Sequence, residues 1–246
     1  MKKVILVTGG GRGIGAAVAT MAAARGHAVA INYLRDDASA RALLDAITAA
    51  GGVACLVKAD VAIESDVVRM VAEVEEKLGP LYGLVNNAGI TGHLGKFLAA
   101  DAQSIEQIFR TNVFGAMHCS RAAIRSFQHS GTHGVIVNVS SVAAFTGSPN
   151  EYVHYAASKG AIETFTMGLA RELAPENIRV CAVAPGVTLT GIHAAAGDPD
   201  RPARVASRIP LGRLATPEEV AEPIVWLLSD AAAYMTGATL RCGGGL

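Results

Sequence analysis

The sequence predicts one α/β domain, a doubly wound parallel sheet of about seven strands with helices on both faces. Three observations lead there. Short β-rich runs alternate with longer helical patterns along the chain, and the runs are nearly uniformly apolar, as in strands buried on both sides. The chain opens on an apolar strand that passes straight into a glycine loop and a helix. No linker-like or charge-block segment divides it, and 246 residues can bury a full core, so 1–246 reads as a single domain.

The first strand is 4–7. It runs into Thr8-Gly9-Gly10-Gly11-Arg12-Gly13-Ile14-Gly15, and Ala16-Ala17-Val18-Ala19 then reads as a helix. Further strands are expected at 28–32, 54–58, 83–86, 134–139, 179–183 and 239–242, each short and apolar. Helices are expected between them at 37–50, 64–78, 104–128, 155–173 and 217–229. Strands joined by helices pair in parallel, and ligands of such sheets sit at the carboxyl ends of the strands. Asn86-Asn87-Ala88-Gly89, Ser140-Ser141 and Pro185-Gly186 each follow a strand and therefore converge on one edge.

Two motifs carry chemistry. Glycines let the backbone approach a pyrophosphate closely, and the helix after them offers free N–H groups and a positive dipole end. Tyr155-Ala156-Ala157-Ser158-Lys159 sets a phenol and an ammonium one turn apart on one helix face. The lysine charge favours phenolate and is expected to lower a tyrosine pKa of about 10. Tyr152 has Ala156 at its i+4 position, so it reads as a pocket or packing residue.

Composition excludes other classes. Half the residues are hydrophobic and the formal charge is zero, which leaves no electrostatic footprint for nucleic acid or an anionic membrane. The N-terminal apolar run is too short for a signal peptide and no later stretch spans a bilayer, so a soluble, cytoplasmic protein is expected. Cys55, Cys119, Cys181 and Cys242 are scattered without metal-ligand spacing. They read as core thiols, and no metal is expected.

Together the glycine loop, Asn86-Asn87-Ala88-Gly89, Asn112, Ser141, Tyr155-x-x-x-Lys159 and Pro185-Gly186 resemble the short-chain dehydrogenase/reductase family. The likeness spans essentially the whole chain, in the family's order and approximate spacing, and implies a Rossmann-type fold. It implies that Tyr155 is the general acid or base at a carbonyl or secondary alcohol, that Lys159 lowers its pKa and holds the nicotinamide ribose, and that Ser141 bonds the substrate oxygen. Asn112 resembles the asparagine that supports a water-linked proton relay to the lysine. Ser140 and Ser141 point in opposite directions if the strand continues through them, and Ser140 is expected to bond locally.

The cofactor set implied by the resemblance is Gly9, Gly11, Arg12, Gly13, Ile14, Gly15, Arg35, Asp60, Val61, Asn87, Ala88, Gly89, Tyr155, Lys159, Pro185, Gly186, Thr188 and Thr190. Asp60-Val61 resembles the pair that flanks the adenine. Thr190 matches the threonine that meets the carboxamide, with Thr188 as a substitute. Asn32-Tyr33-Leu34-Arg35 replaces the carboxylate that would bond an NAD ribose, and Arg35 with Arg12 suits a 2′-phosphate, so NADP is preferred over NAD. The segment 189–208 reads as a mobile substrate lid containing His193, Asp198 and Arg201. The family also implies a homotetramer. The substrate stays open between sugar-like and oxoacyl-thioester-like carbonyl compounds. A non-catalytic NADP-binding sensor or scaffold, and an isomerase or dehydratase, remain alternatives on the same fold.

Overall fold

The computed structural model describes residues 2–246. Seven strands form the sheet: β1 (Val4–Val7), β2 (Ala28–Tyr33), β3 (Val53–Lys58), β4 (Leu81–Asn86), β5 (Val135–Val139), β6 (Arg179–Pro185) and β7 (Thr239–Cys242). All neighbours are parallel, in the order β3-β2-β1-β4-β5-β6-β7. The winding reverses between β1 and β4, which opens a crevice at their carboxyl ends. Thr8 and Asn87 face each other there, with the Asn87 backbone N–H donating to Thr8 Oγ1 at 3.0 Å.

The helices are α1 (Gly13–Ala24), α2 (Asp37–Ala49), α3 (Glu64–Leu78), α4 (Ala102–Phe109), α5 (Gly115–Ser130), α6 (Ala143–Thr146), α7 (Val153–Leu173), α8 (Ile192–Ala195), α9 (Arg201–Val205) and α10 (Pro217–Leu228). Successive strand side chains point to opposite faces. Ile5 and Val7 therefore pack with α1 and α10 in one core, and Val4 and Leu6 with α3, α5 and α7 in another. Among the described residues, no helix is long and apolar enough to cross a membrane.

Three sequence expectations need correction. Uniform burial holds for the central strands, but β3 is largely half-exposed because it is the sheet edge. Cys55 on β3 and Cys242 on the opposite edge strand β7 are accordingly only partly buried, whereas Cys119 and Cys181 are core thiols. The single helix expected at 104–128 is two helices joined by a π-helical turn, Arg110–Phe114. The segment 189–208, read from the sequence as a substrate lid, contains α8 and α9, and Arg201 and Val205 within it are buried.

Candidate active site

The first wall of the crevice is backbone. Gly9 (φ +59°) and Gly13 (φ +54°) occupy left-handed conformations that suit glycine. A side chain at Gly15 would run into the Gly9 carbonyl and the Asn87 amide. Asn87 Nδ2 bonds the carbonyls of Thr8 (2.9 Å) and Gly9 (3.0 Å), tying the loop to β4. Buried Asn32 ties it to β3: Oδ1 accepts from Gly9 N at 3.2 Å, while Nδ2 donates to Val57 and Ala59 carbonyls. At α1 no side chain caps the N-terminus and no acid sits in the first turn. Its leading N–H groups and dipole therefore stay available to an anion.

Arg12 and Arg35 are exposed, and among the described residues neither makes an ion pair. The acids after β2 are engaged otherwise. Asp36 caps α2 through Ser39 N, which holds its carboxyl below the usual range, with a lesser contribution from nearby Arg12. Asp37 accepts from Arg41 and from the Tyr33 hydroxyl. At the end of β3, Asp60 turns the chain by accepting from Ala62 N, and Val61 is buried against Gly115.

The second wall is made of side chains from β5, α7 and the segments after β4 and β6. A cavity of about 330 Å³ is lined by Ser141, Tyr152, Tyr155, Lys159 and Thr190, and reaches Ile14 of the glycine loop. The adjacent serines do point apart. Ser141 bonds toward the Tyr155 phenol and accepts from Ala143 N, whereas Ser140 is buried and donates to the Lys159 carbonyl. The loop leading into α7 turns through Ser148 (φ 42°) and Asn150 (φ 63°), both in left-handed conformations.

Asn112 is buried on the π turn. It donates to Ile90 O (2.8 Å) and Ser158 Oγ (3.1 Å), and accepts from Ile90 N (2.9 Å). A Cβ on Gly89 would stand 3.3 Å from Asn112 Oδ1 and 3.6 Å from Lys159 Nζ, so these three residues meet at one point. Pro185 and Gly186 close the end of β6, where Gly186 N donates to the Cys242 carbonyl and its Cα abuts Gly243. Thr190 packs on Gly13, and Thr188 is buried with its hydroxyl on the Gly186 carbonyl.

The electrostatics differ from the sequence expectation at Tyr155. Burial raises the phenol's pKa, the neighbouring Tyr152 adds to this, and the Ser141 hydrogen bond and Arg201 charge work against it. Lys159 does not figure among the causes, and its ammonium is engaged by the β5 backbone. Desolvation lowers its pKa to about 8, and Nζ donates to the Val139 carbonyl at 2.7 Å, 5.7 Å from the Tyr155 ring centroid.

Sequence reasoning missed Thr8, Asn32 and Glu151. It noted Arg201 only as a lid residue, without a partner. Asn32 was legible in principle as an amide at the end of a buried strand, a polar group that must find partners. Glu151 and Arg201 are 50 residues apart in the chain, and only the fold brings them together. Among the described residues, no cluster of potential metal ligands occurs.

Residues 9–246 match the family model described as enoyl-(acyl carrier protein) reductase. The uncharacterized oxidoreductase YgfF of Escherichia coli K12 is 46% identical over 98% of this chain and 99% of its own. The chain belongs to the short-chain dehydrogenase/reductase family. An L-rhamnose 1-dehydrogenase (NAD(P)(+)) of Sphingomonas sp. SKA58 is 38% identical over 99% of this chain and 96% of its own. A short-chain type dehydrogenase/reductase from Mycobacterium marinum superposes with a TM-score of 0.93 at 33% identity, covering 99% of this chain and 94% of that one. The protein is thus an enzyme, an NAD(P)-dependent oxidoreductase on a Rossmann-type sheet.

Proposed function

We propose that the enzyme uses NADP to interconvert a carbonyl compound and the corresponding alcohol, with Tyr155 as general acid in reduction and general base in oxidation. The observation that carries this reading is the grouping of Ser141, Tyr155 and Lys159 in one cavity that extends to the glycine loop. Ser141 would hold the substrate oxygen where negative charge builds up, and Tyr155 would give its phenolic proton to that oxygen. A neutral phenol is the form that can donate, and burial keeps it so. Lys159 would favour the phenolate left behind once its ammonium turns from the Val139 carbonyl. Asn112 would keep the segment after β4 aligned with α7 beneath the lysine, in a position suited to a water-linked relay.

The residues present fit the dinucleotide. The Gly9–Gly15 backbone and the α1 N-terminus would hold the pyrophosphate, Asp60 and Val61 the adenine, and Asn87, Ala88, Gly89 and Lys159 the nicotinamide ribose. Pro185, Gly186, Thr188 and Thr190 would flank the carboxamide. When bound, the cofactor supplies the hydride. NADP is preferred because Arg12 of the glycine loop and Arg35 after β2 are exposed and form no ion pair among the described residues, and a guanidinium suits a 2′-phosphate. We also infer a homotetramer from the family, a cytoplasmic location from the sequence, and, from the composition of 189–208, a mobile segment there that closes over the substrate.

The deciding experiment is titration with NADPH and NADH, followed by nicotinamide fluorescence, and then addition of ketones, aldehydes and oxoacyl thioesters. Tighter NADPH binding and its oxidation by one class support the reading. Binding without oxidation points to a sensor, and turnover without a net change in nicotinamide absorbance to an isomerase or dehydratase.

A further inference from the structure

Away from the glycine loop, the cavity is closed by an ion pair that the reaction just described does not use. Arg201 on α9 is 5% exposed, and its Nη2 donates to Glu151 Oε2 at 2.6 Å. Its guanidinium lies 5.1 Å from the Tyr152 ring centroid, and Tyr152 meets Tyr155 edge to face with centroids 5.1 Å apart. All four residues line the same cavity. The Nε hydrogen of Arg201 is buried and has no acceptor among the described residues. Such an orphan donor is rare in native proteins and calls for a partner.

The pair selects the chemistry of that partner. Glu151 balances the guanidinium charge, so the cavity meets a donor and an acceptor side by side. A hydroxyl can use both at once, accepting from the guanidinium and donating to the carboxylate, whereas a substrate carboxylate or phosphate would be set against the Glu151 oxygens. We propose that Glu151 and Arg201 read a hydroxyl on the substrate, one aromatic ring beyond the phenol, and that the substrate is a neutral polyhydroxylated carbonyl compound or alcohol of the aldose and polyol class. This rests on the carbonyl–alcohol reaction proposed above. The Nε hydrogen is shielded by its neighbours, so a substrate hydroxyl reaches it only with a small shift of α9.

The test pairs aldoses with their deoxy counterparts and with 2-oxo acids, using the full chain, Arg201→Lys and Glu151→Gln. NADPH binding serves as the check that each variant is folded. The wild type is expected to prefer the hydroxylated member by about 10²-fold or more in kcat/KM, since a site built to bond a hydroxyl rejects the analogue without it. Arg201→Lys keeps the charge but loses the Nε donor, and should reduce that preference about tenfold, mainly through KM. Equal losses on both members would make the pair a structural tie and overturn the proposal, as would a wild-type preference for the oxo acids. Calorimetry separates this proposal from the reaction it rests on. Tyr155→Phe loaded with NADP should bind the polyol more tightly than the deoxy compound even if no compound in the panel is turned over. Absence of that difference overturns the hydroxyl reader whatever the chemistry.

Discussion

The two walls of the cavity are built by different means. On the glycine-loop side, position is held by backbone: left-handed glycines, the bare N-terminus of α1, and the amides of Asn32 and Asn87 that stitch the ends of four strands, β1 to β4, together. On the other side, position is held by side chains from distant segments. Tyr152 and Tyr155 come from α7 and the residue before it, Ser141 from the end of β5, and Arg201 from a short helix after β6. A backbone wall can serve any ligand that has a phosphate, while a side-chain wall must be specified residue by residue. The first can therefore be shared among enzymes of unlike substrate, and the second is where substrates part.

The comparison can be broken first at the phenol. Tyr155→Phe leaves the backbone wall intact, so NADPH binding should persist while turnover falls by ~10²-fold or more, the loss typical of a general acid; fluorescence titration beside steady-state rates measures both. Gly15→Ala attacks the opposite wall. Crowding of this kind costs about 1–3 kcal/mol, and NADPH affinity should weaken about tenfold or more. Unchanged affinity would remove the loop from the binding site.

A third measurement concerns the buried ammonium. Lys159 titrates near 8 in the fold, against an ordinary value of 10.5. Between those values the unfolded chain binds the extra proton, so this group's contribution to stability rises with pH from about 8 to 10.5 and is lost as pH falls back through 8. Over pH 8 to 10, the wild type should gain about 2 kcal/mol relative to Lys159→Met in denaturant unfolding. Parallel curves would mean that the lysine is solvated. The smallest effect is expected at Arg35→Asp, which should shift the NADPH:NADH preference about tenfold toward NADH through loss of a charge-assisted contact. An unmoved ratio would make Arg35 a bystander.

What the sequence made legible follows the same division. The apolar runs and intervening helices marked the strands and helices in their order along the chain, because central strands must be apolar on both faces. The glycine loop and the Tyr155–Lys159 pair could be singled out because their spacing is local and their chemistry belongs to the residue type, whereas Asn87 and Ser141 were singled out through the family resemblance. Edge exposure of β3 was not legible, since strand order along the chain does not state which strand lies outermost. Nor was the raised pKa of Tyr155, because the i, i+4 argument counts charge and not the burial of both partners. The Glu151–Arg201 pair was hidden by separation along the chain: each residue reads as an ordinary surface charge until the fold closes one on the other.

The π turn at Arg110–Phe114 has a consequence for chain length. A turn of this kind amounts to one residue beyond what a regular helix requires. Deleting a residue there would let the helix run unbroken from α4 into α5. It would also rotate one half against the other by about 100° and carry Asn112 away from Ile90 and Ser158. A shorter gene would encode the more regular helix and the poorer enzyme.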